Sequence, residues 1–367
     1  MNTRVIGFDL ARALAIFGMV LVNFKVVMGA STNGSDWLIF TMGLLDGRAA
    51  ATFVVLAGIG ISLLSKSARD SGDPVRLRQT RTTLLKRALF LFVLGSLYTS
   101  IWPADILHFY GIYIAIAAFL FAAPTRRLWA IAVSLTFGFV VLVLTLDYEK
   151  GWDFETLEYA GLWTPSGMIR HLFFNGFHPT IPWLAFLLVG IILGRLNWNN
   201  SEMRRRIFVI GASVALITEA TSAALVAVVS PGSTGEELEI ITALFGTAPM
   251  PPMPQYILAG TGTACALIAV CVSIGQRFPD AAWLRPFVST GQIALTLYVA
   301  HVFIGMATLE TLGRLEDQPL PFSVLASFLF CAFGVAFAWL WRLRFSRGPI
   351  ELAMRKITEV NARNTID

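Results

Sequence analysis

The chain has 367 residues, of which 56% are hydrophobic and 14% charged, with a net charge of +5 and a mean hydropathy of +0.69. A soluble domain carries about a quarter charged residues, so this composition excludes an ordinary soluble enzyme, a disordered chain and a disulfide-built secreted scaffold. What remains is an all-α polytopic membrane bundle, because helices satisfy their own backbone hydrogen bonds in lipid.

A span needs about 20 mostly apolar residues. In chain order the sequence predicts ten, at 5–27, 47–65, 84–101, 106–122, 128–146, 181–196, 207–229, 255–275, 287–308 and 321–341. The first is read as a retained span rather than a signal peptide, because Asp9 and Arg12 interrupt its apolar run and no small-residue cleavage site follows. Trp37–Leu45 is too short to cross and is placed at the interface or dipping in before the second span. Residues 165–174 read as a short amphipathic helix lying on the membrane, and 230–254 as a flexible cover with a proline-stiffened end. Residues 1–346 form one helical membrane domain, followed by a cytoplasmic amphipathic tail at 347–367.

The loops alternate in sign. Six loops and tails, at 1–4, 66–87, 123–127, 195–206, 276–286 and 342–367, hold 22 of the 28 Lys and Arg residues. The opposite loops hold 3 and are dominated by Asp and Glu. By the positive-inside rule the basic set and both termini are cytoplasmic, an N-in/C-in topology. That rule accounts for the net charge without a nucleic-acid partner. Cys265, Cys271 and Cys331 lie in apolar stretches, give no disulfide framework or metal-ligand spacing, and read as small core residues.

Ionisable groups in spans are costly and need a partner, a cavity or a function. Asp9 and Arg12 share one face of the first helix. They read either as a structural ion pair or as a place where Arg12 meets an anionic ligand from the cytoplasm. Asn23, fourteen residues beyond Asp9, lies about 21 Å further along the helix. Asp46 and Arg48 open the second span, and Asp105 and His108 the fourth. Glu219 sits mid-span in the seventh. His178, in His-Pro-Thr-Ile-Pro-Trp ending at Trp183, is held near the mouth of the sixth span by two prolines. His301 falls about 24 Å beyond Arg285, also in the outer half. His178 and His301 therefore share a depth with Asn23 and Asp46, and a neutral histidine is a suitable general base.

Four groups of motifs carry a family resemblance. The first is Arg4-Val5-Ile6-Gly7-Phe8-Asp9-Leu10-Ala11-Arg12 with Gly18 to Asn23-Phe24. The second is Asp46-Gly47-Arg48 through Phe53 to Gly58-Ile59-Gly60. The third is Asp105-Ile106-Leu107-His108-Phe109-Tyr110-Gly111-Ile112. The last comprises Asn175-Gly176-Phe177-His178-Pro179 with Pro182-Trp183, Gly291-Gln292 to His301, and Gly348-Pro349-Ile350-Glu351. In this order they resemble the heparan-α-glucosaminide N-acetyltransferase superfamily, in particular its bacterial YeiB-like branch, which implies a place in a bacterial plasma (inner) membrane.

The resemblance implies a multi-span acyltransferase taking acetyl-CoA from the cytoplasm and delivering the acyl group to a sugar amine or hydroxyl, or to a lipid-linked sugar, on the far side. In the characterised branch an Asn at the end of the first span pairs with a His in the next external loop. Asn23 matches the former, but no histidine lies between Asn23 and Asp46, which leaves His178 or His301 to supply the base. Arg12, Lys86 and Arg87 are the expected CoA contacts. Asp46, Arg48, Asp105, His108, Trp183 and Glu219 are the expected substrate contacts, with no metal required. A homodimer is compatible with these spans. A permease for a small polar solute, or a non-catalytic membrane partner, is the alternative reading of the same buried polar groups.

Overall fold

The computed structural model describes residues 5–154 and 156–358. Arg4 of the first motif, the tip of the N-terminal segment and residues 359–367 of the expected tail lie outside them. The described residues are helical, with one small antiparallel ladder that pairs Trp152 with Tyr159 and Asp153 with Glu158. Among the described residues, seven helices are long and apolar enough to cross a membrane, or eight if one bent pair counts as a single span.

The sequence divides the chain into ten spans, and the difference has local causes. Helix Pro74–Tyr98 carries Arg76, Arg78, Arg81, Lys86 and Arg87 in its first fourteen residues, so only the last eleven form an apolar run. Helix Leu107–Leu120 has 14 residues and rises about 21 Å, short of the roughly 30 Å hydrocarbon core. The bent pair is Pro165–Asn175 and Thr180–Leu193, which meet at 52°. Its second helix opens with Ile181 at φ −100°, ψ 109°, as expected of a residue whose helical conformation is opposed by the following proline.

Helix Pro165–Arg170 forms as expected but continues into a π-helical turn, His171–Asn175, that buries His171, Leu172 and Phe174. Residues 230–254, expected to be a flexible cover, contain a regular helix, Glu236–Phe245. Glu236, Glu237 and Glu239 in its first turn complement the positive end of the helix dipole.

The residues form two compact units. The first takes the described parts of Met1–Leu56, with Asn197–Leu216 and Gly260–Leu352. Its central element is helix Ile6–Val27, 22 residues long, which packs on helices Leu284–Gln292 and Leu320–Arg344. Gly7 lets it lie close to a further helix, Pro254–Arg277, since a Cβ there would come within 2.7 Å of the Val272 backbone nitrogen. The helix after Leu284 is interrupted twice. Ile293, at φ −118° and ψ 29°, breaks it between Gln292 and Ala294, and residues His301–Met306 form a π-helical turn.

The second unit takes Ala57–Leu196, Ile217–Ala259 and the described part of Ala353–Asp367. Helix Pro74–Tyr98 packs on Leu107–Leu120, and Thr125–Thr145 on Thr180–Leu193. Tyr113, Trp183, Phe186 and Tyr256 are fully buried at its centre. The three cysteines are free thiols.

Candidate functional site

In the first unit, Asn23 and His301 come together. Asn23 projects from the first helix and is half-buried, whereas His301 is wholly buried at the start of its π-helical turn. The Asn23 Nδ2 to His301 Nε2 distance is 2.9 Å. On the other side of the ring, His301 Nδ1 bonds the carbonyl of Tyr298. A carbonyl only accepts, so Nδ1 carries the proton and Nε2 presents its lone pair. The neutral base is thus oriented by its own helix and met by an amide donor from the first. π-Turns recur at functional sites because the extra residue re-aims a side chain.

Two residues beyond Asn23, the buried Lys25 Nζ donates to both oxygens of Asp46, at 2.6 and 2.7 Å. Asp46, expected to touch substrate, is therefore engaged by a lysine. Arg48 is also buried in this unit, and its backbone carbonyl accepts from the Thr52 hydroxyl at 2.8 Å. At the other end of the first helix, Arg12 Nη1 lies 2.5 Å from Asp9 Oδ1. Gln292 Nε2 reaches Asp9 Oδ2 at 3.3 Å, beside the helix break at Ile293. Arg12 thus pairs with Asp9 within its own helix.

A second cluster occupies the second unit. The Asp105 carboxylate accepts from Tyr98 Oη at 2.6 Å and from His108 Nδ1 at 2.8 Å. It also accepts from the His108 backbone N–H at 3.1 Å. Gly95 leaves room for this group, since a Cβ there would collide with Asp105 and the His108 backbone. Burial alone would raise the Asp105 carboxyl, but the hydrogen bond from His108, the charge of His108 and the Tyr98 hydroxyl together hold it below the usual aspartate range. His108 Nε2 is buried without a partner among the described residues. Its ring stacks on His171 at 5.5 Å between centroids, with 13° between planes.

His178 lies against Trp183 at 4.6 Å and Phe109 at 5.8 Å, and its carbonyl accepts from the Tyr113 hydroxyl. His171 Nδ1, His178 Nδ1 and Trp183 Nε1 are likewise buried without partners among the described residues. Glu219, in the same unit, accepts from the Thr247 hydroxyl at 2.8 Å. Lys86 and Arg87 are half-buried on helix Pro74–Tyr98 of that unit.

His171 is the one histidine that sequence reasoning passed over as a site residue. Its signal was a lone imidazole before Leu172-Phe173-Phe174, read as the face of a surface helix when it is a buried ring. No group of three or more His, Cys, Asp or Glu side chains among the described residues is placed to hold a metal.

The molecule is a helical integral membrane protein whose interior holds an amide–imidazole pair and a carboxylate–imidazole cluster. Residues 4–222 match the heparan-alpha-glucosaminide N-acetyltransferase catalytic family, and residues 192–361 match a protein family of unknown function, DUF418. The chain belongs to the heparan-alpha-glucosaminide N-acetyltransferase family, and its general character is that of a membrane N-acetyltransferase-like protein. No curated protein matches the chain. The first match contains Asn23, Asp105, His108, His171 and His178; His301 lies within the second.

Proposed function

We propose that the protein transfers an acetyl or short acyl group from cytoplasmic acyl-CoA to a sugar amine or hydroxyl on the extracytoplasmic side, with Asn23 and His301 as the reacting pair. The observation that carries this reading is the 2.9 Å contact between the Asn23 amide and His301 Nε2. It supplies the two functions a direct acyl transfer needs, in a chain that lacks the external-loop histidine of the characterised branch.

The acyl donor supplies an activated thioester carbonyl. When the thioester and acceptor enter, the Asn23 amide turns from Nε2 to the thioester carbonyl, and the freed Nε2 lone pair of His301 takes the proton from the acceptor as its nitrogen or oxygen forms the new bond to that carbonyl carbon. The Asn23 amide donates to the oxygen where negative charge develops. The carbon–sulfur bond breaks, and the proton held on Nε2 passes to the departing thiolate, which returns His301 to its neutral form. Attack by the acceptor on the thioester needs no acyl-cysteine step.

The first unit also has a cavity of about 350 Å³ lined by Arg285, Ser289, Gln292, Trp339 and Arg342. Guanidinium forks and an exposed indole suit a phosphorylated, aromatic-bearing donor, so this cavity supports acyl-CoA as that donor. Arg12, bound to Asp9, then acts by holding the first helix, and Lys86 and Arg87 serve the basic cytoplasmic rim. An apolar groove of about 720 Å³ that includes Phe24 and Gly305 supports a lipid-linked form of the acceptor.

The test is release of free CoA thiol by the purified protein in lipid nanodiscs, with acetyl-CoA and a panel of amino sugars and lipid-linked sugars. Acceptor-dependent release that His301→Ala abolishes is the expected result. Undiminished release in His301→Ala and Asn23→Ala would remove the pair from the mechanism.

A further inference from the structure

The helix that carries His301 begins at a break, and a residue from far along the chain holds that beginning. After Ile293 the first backbone N–H groups of the new helix have no helical carbonyl four residues back to bond, the Leu297 N–H being the first to find one, at Ile293. The carboxylate of Glu351, from the helix Pro349–Thr358, supplies one acceptor. Glu351 Oε1 accepts from the Thr296 N–H at 3.1 Å and Oε2 from the Thr296 hydroxyl at 2.5 Å. The same hydroxyl accepts from the Ile350 N–H at 3.1 Å, so the clasp closes in both directions.

The tail segment is seated closely on the break. A Cβ on Gly348 would stand 2.7 Å from the Thr296 hydroxyl and 2.8 Å from Ile293 Cβ. Trp341 Nε1 donates to the Arg347 carbonyl at 2.8 Å, which fixes the turn leading into the tail helix. Thr296 is five residues before His301, about 7.5 Å along the axis. Tyr298, whose carbonyl holds His301 Nδ1, lies between them.

We propose that Glu351 is a positioning residue for His301: by clasping Thr296 it fixes the start of the helix whose Tyr298 carbonyl orients the imidazole toward Asn23, so that the tail segment sets the geometry of the pair. This rests on the reading of Asn23 and His301 as the reacting pair for its functional meaning, but not for its test. It also assigns a purpose to the Gly348-Pro349-Ile350-Glu351 motif, which acyl transfer leaves unexplained. A hydrogen bond to a charged group is strong enough to decide the population of a local opening, and both ring nitrogens of His301 are engaged only while the helix start holds.

The experiment uses the full chain in nanodiscs and reads the modification rate of each of the four histidines with diethyl pyrocarbonate, by mass spectrometry. Glu351→Ala is expected to speed labelling of His301 by roughly ten- to a hundredfold, the worth of a charged hydrogen bond, with His108, His171 and His178 unchanged. Glu351→Gln, whose amide oxygen still accepts from the Thr296 N–H, should restore part of the protection. Thr296→Val, which deletes only the hydroxyl, should shift the rate in the same direction as Glu351→Ala by less. Unchanged His301 labelling in a folded Glu351→Ala protein overturns the proposal. A rise at all four histidines in Glu351→Ala is loss of fold, and Thr296→Val then decides: a uniform rise or no rise there also overturns it. Labelling requires no turnover, so a chain with no acyl-transfer activity still answers the question, and the two readings fail separately.

Discussion

Asn23 and His301 are separated by 278 positions in the chain and joined by a 2.9 Å hydrogen bond. Each substitution at this pair removes a different contribution. Asn23→Ala should lower kcat by about 10²–10³, the range for loss of one oxyanion donor. His301→Ala should lower it by about 10²–10⁴, the range for loss of a general base. Because the two groups act as a unit, the double variant should lose less than the product of the single losses. Steady-state thiol release for the four proteins measures this, and multiplicative losses would mean that the two side chains act independently.

Lys25 and Asp46 give a prediction about stability. The Lys25 side chain is 8% exposed and that of Asp46 35%, so removing the aspartate strands a buried ammonium while removing the lysine strands a carboxylate that reaches solvent. Breaking a buried pair costs roughly 3–5 kcal/mol. Asp46→Ala should approach that range, and Lys25→Met should cost less. The paired replacement Lys25→Met/Asp46→Leu should recover much of the loss. Thermal unfolding of the three variants decides the order.

Asp105 sets an acid limit. Its carboxyl is held below the usual aspartate range in the folded protein, so the unfolded chain binds this proton more readily. The stabilisation is present above the unfolded value and is lost as pH falls through the folded one. Thermal stability should therefore decline on the acid side of the usual aspartate range, and Asp105→Asn should flatten that decline while lowering stability at neutral pH. An unchanged acid limb in Asp105→Asn would assign it to other carboxylates.

Ligand linkage offers a check that does not depend on turnover. Acetyl-CoA at about a hundred times its Kd should stabilise the protein by about 2.7 kcal/mol, with sulfate at equal ionic strength producing no such shift. Arg285→Ala or Arg342→Ala should reduce the shift if the 350 Å³ cavity holds the nucleotide end. The absence of any shift at millimolar acetyl-CoA would favour the permease reading.

Topology is open to labelling. A cysteine introduced at Ser233 should react with an impermeant maleimide from outside intact cells, and one at Ser71 only after permeabilisation. The opposite pattern would invert the N-in/C-in assignment.

The membrane class and most of the helices are legible in the sequence because both follow from local composition and run length. Asn23 and His301 could each be singled out by depth along their helices, yet their contact could not, since it depends on how helix Ile6–Val27 lies against the interrupted helix after Leu284. His171 was missed because an imidazole beside Leu172-Phe173-Phe174 has the same periodicity whether it faces lipid, water or a neighbouring ring. The Lys25–Asp46 pair and the Glu351–Thr296 clasp are long-range bonds with no local signature. Helix Glu236–Phe245 was obscured by flanking glycines and prolines that made its whole segment read as irregular.

The π-helical turn His301–Met306 implies a tolerance of length at one point in the chain. A π-turn takes up one residue more than a regular helix would hold. Deleting a single residue from Val302–Met306 would let the stretch relax to a regular helix and leave Ala307–Thr311 facing nearly as before relative to Ala294–Ala300. A homologue one position shorter here would therefore keep both flanking segments in register with the first helix, yet lose the local widening at whose start His301 stands.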